Sequence, residues 1–330
     1  MFATLSGGLP ASRTDPPASV DDLVRLAVEA QDAAGIELVG DGLLRGRPAS
    51  LFAGGLEGIG VAADGTLQAS APPVWTRPVT VAAWQFAAAC TERTVKQTLP
   101  GPYSLGRRIV SSGATRAAIT EALGDAIRAE IETLAGAGCA FIEIEEGDAT
   151  EIGDDAAERT LWRDAHERLT AGISGVHLSL AIVGGSADAA GPETIFGAPY
   201  ASHLFDLVAG PDNWRLITRA PPERGIICGA LGPASADSGA ELLAWAAHYA
   251  AAAGGRGLDR VGLANAPGLE LLTWAVAIAK LEQLGRTAAL VGRPSADLAE
   301  ALDPRAISTR SAAAGRYVRR PPRRTRPPAG

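Results

Sequence analysis

Carboxylates that could hold a cation or move a proton gather in one short stretch, AEIETLAGAGCAFIEIEEGDA, which spans Ala129–Ala149. A helical run breaks there at Gly136 and Gly138, and a strand over Phe141–Ile144 leads into the acids. Alternation along a strand puts Ile142 and Ile144 on one face and Glu143 and Glu145 on the other. Apolar residues turned toward packed helices, with carboxylates turned inward near the strand's C-terminal end, form the arrangement in which barrel enzymes keep their chemistry. Glu146, Asp148 and Glu151 carry the acidity into the following loop. Glu145 is therefore a candidate catalytic or substrate-clamping group. His177, on a later strand, is a candidate for proton transfer because an imidazole titrates near neutral pH. Tyr103 and Ser104 follow a Pro-Gly-Pro turn at the start of a helix, where free backbone N–H groups favour an anion or polar ligand, and Asp41 ends an early strand.

Such residues meet only if their strands all end on one side. Phe2–Leu5 reads as the first strand, and Ser19 with Asp22 caps a helix that runs to Gly35. Ile36–Val39 is the second strand, ending in Gly40-Asp41-Gly42. Ile59–Ala63 and Thr66–Ala69 form a hairpin about Asp64-Gly65. Strands at Thr94–Leu99, Phe141–Ile144, Val176–Val183, Trp214–Thr218, Gly225–Cys228 and Arg260–Ala264 bring the count to eight. Helices are predicted between them, over Val79–Cys90, Thr115–Ala135, Asp154–Ala171, Ala240–Ala253 and around Tyr200–Leu207, with Leu269–Leu284 closing the set. Strand-helix alternation of this length predicts an α/β fold, a (β/α)8 TIM barrel in one domain over residues 1–304 with a small hairpin insertion near 59–69. A doubly wound sheet is the alternative, but no GxGxxG turn follows the first strand, and neither a P-loop nor a GxSxG elbow is present.

With 47% hydrophobic residues in a chain of 330, a sizeable core is expected. No apolar run is long enough for a membrane span and no secretory leader is recognisable, so a cytoplasmic protein with no membrane partner is expected. Cys90, Cys139 and Cys228 are odd in number and widely spaced, which argues against a disulfide framework and supplies no CxxC metal pair. The net charge is −7, yet the last fifteen residues carry six arginines and no acid, leaving the remainder at −13. An acidic body argues against nucleic acid as its partner and leaves a small molecule as the expected one. Residues 305–330, rich in Arg and Pro, are expected to be a disordered tail whose partner the sequence does not define.

The strand ends resemble those of the C-terminal catalytic barrel of cobalamin-independent methionine synthase and its shorter single-domain relatives. The similarity runs from about Thr4 to Leu284 and is most specific in two places. Lys96–Leu105, KQTLPGPYSL, is similar to the family's Lys-x-x-x-Pro-Gly-Pro-Tyr-Thr-Leu, and Ala137–Glu146, AGCAFIEIEE, to its Ala-Gly-x-x-x-Ile-Gln-Ile-Asp-Glu. Gly7-Gly8-Leu9-Pro10 and Ala34–Leu43 match two further family turns more loosely, with Leu43 where the family has a Glu that helps hold the substrate's amino group. Glu145 stands where the family has an Asp of similar role.

The resemblance also implies a zinc ion, held by a His and a Cys two residues apart on strand five, a Glu at strand six and a Cys before a Gly near strand eight. His177 matches the first ligand, Ser179 stands in place of the Cys, no Glu occurs around Trp214–Thr218, and Pro267 takes the place of the second Cys. Hydroxyl and proline do not replace thiolates as zinc ligands, so no metal or other cofactor is expected. The resemblance then implies a methyl or other group transferase acting on a small amino-acid-like or amine substrate. Glu145 and His177 would be catalytic, and Asp41, Glu146, Tyr103 and Ser104 would bind substrate. A non-catalytic relative that keeps the fold, or a metal-free decarboxylase-like enzyme, is the alternative.

Overall fold

One strand, broken at its middle by Lys96, closes the molecule on itself. The computed structural model describes residues 1–11, 19–233 and 239–293, so the Arg/Pro-rich tail expected from residue 305 lies outside the described residues. In chain order the first half comprises β1 (Phe2–Thr4), α1 (Val20–Ala33), β2 (Leu38–Val39), α2 (Pro48–Ala53), β3 (Glu57–Val61), β4 (Leu67–Val74), α3 (Val81–Ala88), β5 (Thr94–Val95), β6 (Gln97–Pro100), α4 (Pro102–Arg108), β7 (Ile109–Ser111) and α5 (Arg116–Gly136). The second half comprises β8 (Phe141–Glu146), α6 (Ala156–Thr170), β9 (His177–Ile182), α7 (Pro192–Ile195), β10 (Ser202–Asp206), α8 (Trp214–Arg219), β11 (Gly225–Leu231), α9 (Ala240–Ala252), β12 (Val261–Asn265) and α10 (Trp274–Val291).

Nine parallel segments run in the order β5-β2-β1-β12-β11-β10-β9-β8-β6. The segments at its two ends, β5 and β6, are halves of one strand: β5 pairs with β2, and β6 pairs with β8. The order therefore returns to its start, and the sheet is an eight-stranded barrel. Helices cover the outside, and a large apolar cluster that includes Ile142, Ile144, Leu99 and Ile127 fills the space between. A smaller cluster lies inside the ring, where Phe2 packs against Leu38, Phe141, Ala181, Leu204, Ile227 and Ala264. Branched aliphatic residues usually fill such an interior. Here Lys96, Glu143, Ser179 and Ser202 are buried as well.

The expected hairpin is present but is no free arm. Val61 pairs with Leu67, so the turn is longer than two residues, and β7 adds to β4 in parallel to make a three-stranded sheet. Glu130 of α5 staples the end of this sheet. Its carboxylate accepts from Trp75 Nε1 at 2.7 Å, from Val79 N at 3.0 Å and from the N and Oγ1 of Thr80 at 2.6 and 2.7 Å.

Two elements differ from the sequence reading. Trp214–Thr218, expected as strand six, lies in the helix α8, and the sixth barrel strand is Ser202–Asp206, where a helix was expected. All five residues of β10 are buried, because its polar members Ser202 and Asp206 point into the ring while His203 and Phe205 pack outward. A short strand with polar residues on its inner face carries no apolar alternation for a reader to find. Leu216 and Ile217 are the buried residues of α8, an adjacent pair that fits a helix and a strand equally well over so short a span.

His203 sets an acid limit on stability. Its ring is buried between Phe196 and Phe205, with neither nitrogen in a well-formed hydrogen bond, although the Ile195 carbonyl slightly favours the charged form. Burial, helped by the nearby Arg224 charge, lowers its pKa to about 3. An unfolded histidine binds a proton near pH 6.5. Between these limits the unfolded chain holds one proton more than the folded chain at this site, so stability falls as pH drops, by about 1.4 kcal/mol per pH unit. His203→Phe is expected to make the stability profile from pH 6 to pH 4 shallower by one proton. Urea midpoints that change with pH identically in parent and variant would contradict this.

Candidate active site

The acids of β8 divide between the two faces of the barrel wall. Glu143 and Glu145 share the inner face with Phe141, and Glu146 shares the outer face with Ile142 and Ile144. Glu143 lies deep inside, where its Oε2 accepts from Lys96 Nζ at 2.7 Å; the two side chains are 2% and 3% exposed. Lys96 was not foreseen as a site residue. Its signal was available, because it is one of only two lysines and shares the inward parity of Thr94 and Thr98 in its strand.

Glu145 stands one inward step nearer the C-terminal mouth. No cation or hydrogen-bond donor among the described residues touches its carboxyl. Burial first, and then repulsion by Glu143, raise its pKa to about 7, against the opposing pull of Arg108, Lys96 and Arg47. A carboxyl with that pKa is only partly ionised at neutral pH.

Asp41 reaches the same mouth from β2. The side-chain amide of Gln31 on α1 fixes this strand end, donating to Gly40 O at 2.7 Å and accepting from Gly40 N at 3.0 Å. Burial raises the Asp41 pKa, opposed by the Leu43 N–H, Arg45 and Lys96. Asp41 and Glu145 thus both sense Lys96 and are both short of positive charge. Leu43, whose N–H donates to Asp41 Oδ1 at 2.9 Å, has a φ of 53° and is the one described non-glycine residue with a positive φ. A leucine held there costs about 1–2 kcal/mol, a strain that concentrates at functional sites. It lines a small cleft of about 50 Å³ with Gly8, Arg47 and Glu270.

Glu146, Tyr103 and Ser104 come together as expected, but outside the ring. The Glu146 carboxylate, fully buried, accepts from Tyr103 N at 3.0 Å, Ser104 N at 2.8 Å and Ser104 Oγ, and His166 Nε2 lies 3.1 Å away without hydrogen-bond alignment. Tyr103 donates its hydroxyl to Glu158 at 2.6 Å, and burial with that carboxylate raises the phenol's pKa. Glu146 is thus held by two backbone N–H groups and the Ser104 hydroxyl, and the Tyr103 side chain by Glu158, on the outer side of the barrel wall and away from Glu145.

His177 is also relocated. It is the first residue of β9, paired with Phe141, whereas Glu145 is level with Ala181. Four residues of strand separate them by about 13 Å along the barrel, so His177 opens on the N-terminal end and does not meet Glu145 and Asp41. The strand-six acid sought near residue 214 is instead Asp206, whose carboxylate accepts from Gly184 N, Val208 N and Ala209 N. Cys228 turns outward toward Ala246 O, and burial pushes its thiol up to about 12. Among the described residues no group of three or more His, Cys, Asp or Glu is arranged to hold a metal ion, and no helix is long and apolar enough to cross a membrane.

The sequence model of the family described as "Cobalamin-independent synthase, Catalytic domain" matches residues 12–189, a little over half of the chain. A B12-independent methionine synthase from Shewanella sp. W3-18-1, solved in complex with selenomethionine, is similar in structure with a TM-score of 0.75 and 18% identity, over 88% of this chain and 97% of that one. A putative vitamin-B12 independent methionine synthase from Listeria monocytogenes gives a TM-score of 0.73 and 16% identity, over 89% and 98% of the two chains. A methyltransferase from Methanosarcina mazei gives 0.55 and 12%, over 86% and 93%. No curated protein matches the chain in sequence. At these identities the likeness to the solved structures is one of fold.

Proposed function

We propose, because the chain belongs to the cobalamin-independent synthase catalytic-domain family, that its barrel mouth transfers a methyl or other small group on an amine-bearing, amino-acid-like substrate. The observation that carries this reading is Glu145, a carboxyl with its pKa raised to about 7 and no cation against it, in a mouth shared with Asp41. A substrate ammonium between the two acids supplies the missing charge and stabilises both as carboxylates. Ammonium binding therefore releases the proton that Glu145 holds near neutral pH. The complex of the Shewanella protein with selenomethionine supports an amino acid as the class of ligand.

The zinc implied by the family resemblance does not fit the residues present. On the inner face of β9, Ser179 and Ala181 offer a hydroxyl and a methyl, Pro267 follows β12 without a donor, and the Asp206 carboxylate is taken up by three backbone N–H groups. No thiolate or imidazole faces the mouth among the described residues, so no step is assigned to a metal. The same missing soft donors favour the second reading, a relative that binds the amino acid without turning it over.

Glu145→Gln separates binding from fold. A carboxyl whose folded pKa is raised adds stability below its unfolded pKa and loses it as pH rises through the folded value. Above about pH 7, therefore, the parent carries a strained carboxylate that the variant lacks. Glu145→Gln is expected to be the more stable protein at pH 8 by about 2 kcal/mol, the full shift being reduced by water at the mouth. Added L-methionine should raise the melting temperature of the parent and not of the variant. A variant that responds to L-methionine as the parent does would overturn the site. Transfer of a labelled methyl group by the parent, absent in the variant, distinguishes the enzyme from the binding relative.

A further inference from the structure

The barrel also opens at the end away from the acids. A cleft of about 280 Å³ lies among the N-terminal ends of the strands, lined by Phe2, His177, Ser202, Glu223, Asp259 and Arg260. Its floor is a hydrogen-bonded chain in a place that aliphatic side chains would ordinarily fill. His177 stacks flat on Phe141, with centroids 4.4 Å apart and planes at 14°, and its Nε2 lies 2.8 Å from Ser202 Oγ. Ser202 donates in turn to Ser179 Oγ at 2.9 Å, and both serines are buried.

In the tautomer in which Ser202 Oγ accepts from Nε2, the His177 ring keeps a lone pair on Nδ1. No hydrogen bond reaches Nδ1 among the described residues. Burial lowers the ring's pKa and preserves that acceptor at neutral pH. Two exposed carboxylates, Glu223 and Asp259, stand at the rim, and Arg260 turns part of its donor capacity to Pro222 O at 3.3 Å. The cleft therefore joins an imidazole, an aromatic wall at Phe2 and two rim carboxylates, of which Glu223 lies 3.9 Å from Arg224.

We propose that this cleft is a second ligand site, distinct from the mouth, for a small primary amine with an apolar body. The ammonium donates to His177 Nδ1 and faces Glu223 and Asp259, and the apolar part lies against Phe2. The site stands whether or not the mouth transfers a group.

Benzylamine is the probe. Titrated into 15N-histidine-labelled parent protein at pH 7.5, it should move the unprotonated ring-nitrogen signal that is missing from His177→Phe, a variant that keeps the stacked ring. Affinity read from that signal should fall severalfold in the double variant Glu223→Gln, Asp259→Asn. Calorimetry should show a loss of about tenfold or more in His177→Phe, the scale of a hydrogen bond to a charged group. Glu145→Gln should leave this binding within about twofold, since its carboxyl is about 13 Å further along the barrel. A parent whose His177 signals do not move, a ring hydrogen found on Nδ1, or equal affinity in a folded His177→Phe overturns the proposal. Binding lost only in Glu145→Gln assigns the amine to the mouth alone, and likewise overturns it.

Discussion

Lys96→Met is expected to destabilise the barrel by about 3–5 kcal/mol, the cost typical of stranding one partner of a buried ion pair. Lys96 and Glu143 meet at 2.7 Å with almost no solvent at either side chain, and the Thr98 hydroxyl, at 3.4 Å from the other carboxylate oxygen, is a weak second partner. Methionine fills the volume but leaves Glu143 to be ionised without compensation or to take up a proton. The loss is a large fraction of the roughly 5–15 kcal/mol that holds an ordinary domain together. Removing both charges in Lys96→Met, Glu143→Leu should restore most of the stability, because the pair's attraction only offsets its own desolvation. Urea unfolding at pH 7 of the parent, the two single variants and the double variant measures the coupling. Single variants within about 1 kcal/mol of the parent would show that water reaches the pair and that the interior is wetter than its burial indicates.

The barrel was readable from its punctuation: glycines and acids ending short apolar runs at β1, β2, β8 and β9 place four strands close to where they lie. Glu145 lies at the inward parity of β8, which alternation makes legible, whereas Asp41 has the outward parity of Val39 and lies just beyond the end of β2. Strand six was not legible. The inner face of β10 holds Ser202 and Asp206, whose reason for being there is a neighbour on β9 or a backbone turn far off in sequence, and that pairing has no local signal. His177 was misplaced although the expected strand already began at Val176: its inward face was read, but not that the start of a parallel strand lies at the end of the barrel opposite the acids. The separation of Glu145 from Glu146 was implicit in the alternation that put Glu143 and Glu145 together, yet reading the acids as one cluster hid it. Lys96 was passed over because a charged residue inside a barrel is comprehensible only with its partner, forty-seven positions away.

Gly101→Ala is expected to cost at least as much as the loss of Lys96, although it adds a single methyl group. A Cβ on Gly101 would lie 2.0 Å from Glu146 Cδ and 2.1 Å from its Oε1, far inside contact distance. Glu146 has no free volume to move into, because it is fully buried and holds two backbone N–H groups of α4 together with the Ser104 hydroxyl. Expelling it leaves those donors unpaired in an apolar layer and drags a carboxylate off its partners, a combination worth about 3–5 kcal/mol. The damage reaches the mouth as well, since Gly101 N donates to Glu145 O at 2.8 Å and carries the β6–β8 pairing to its last residue. A Glu145 released from that bond would no longer be held in the environment that raises its pKa. Shortening the obstacle should expose the mechanism: in a Glu146→Ala background, itself destabilised, the further change Gly101→Ala should cost less than about 1 kcal/mol, which is strong non-additivity for one contact. Thermal unfolding of the four proteins in this cycle tests it, and additive losses, or a Gly101→Ala protein as stable as the parent, would mean that the turn can move aside and that Glu146 does not pin it.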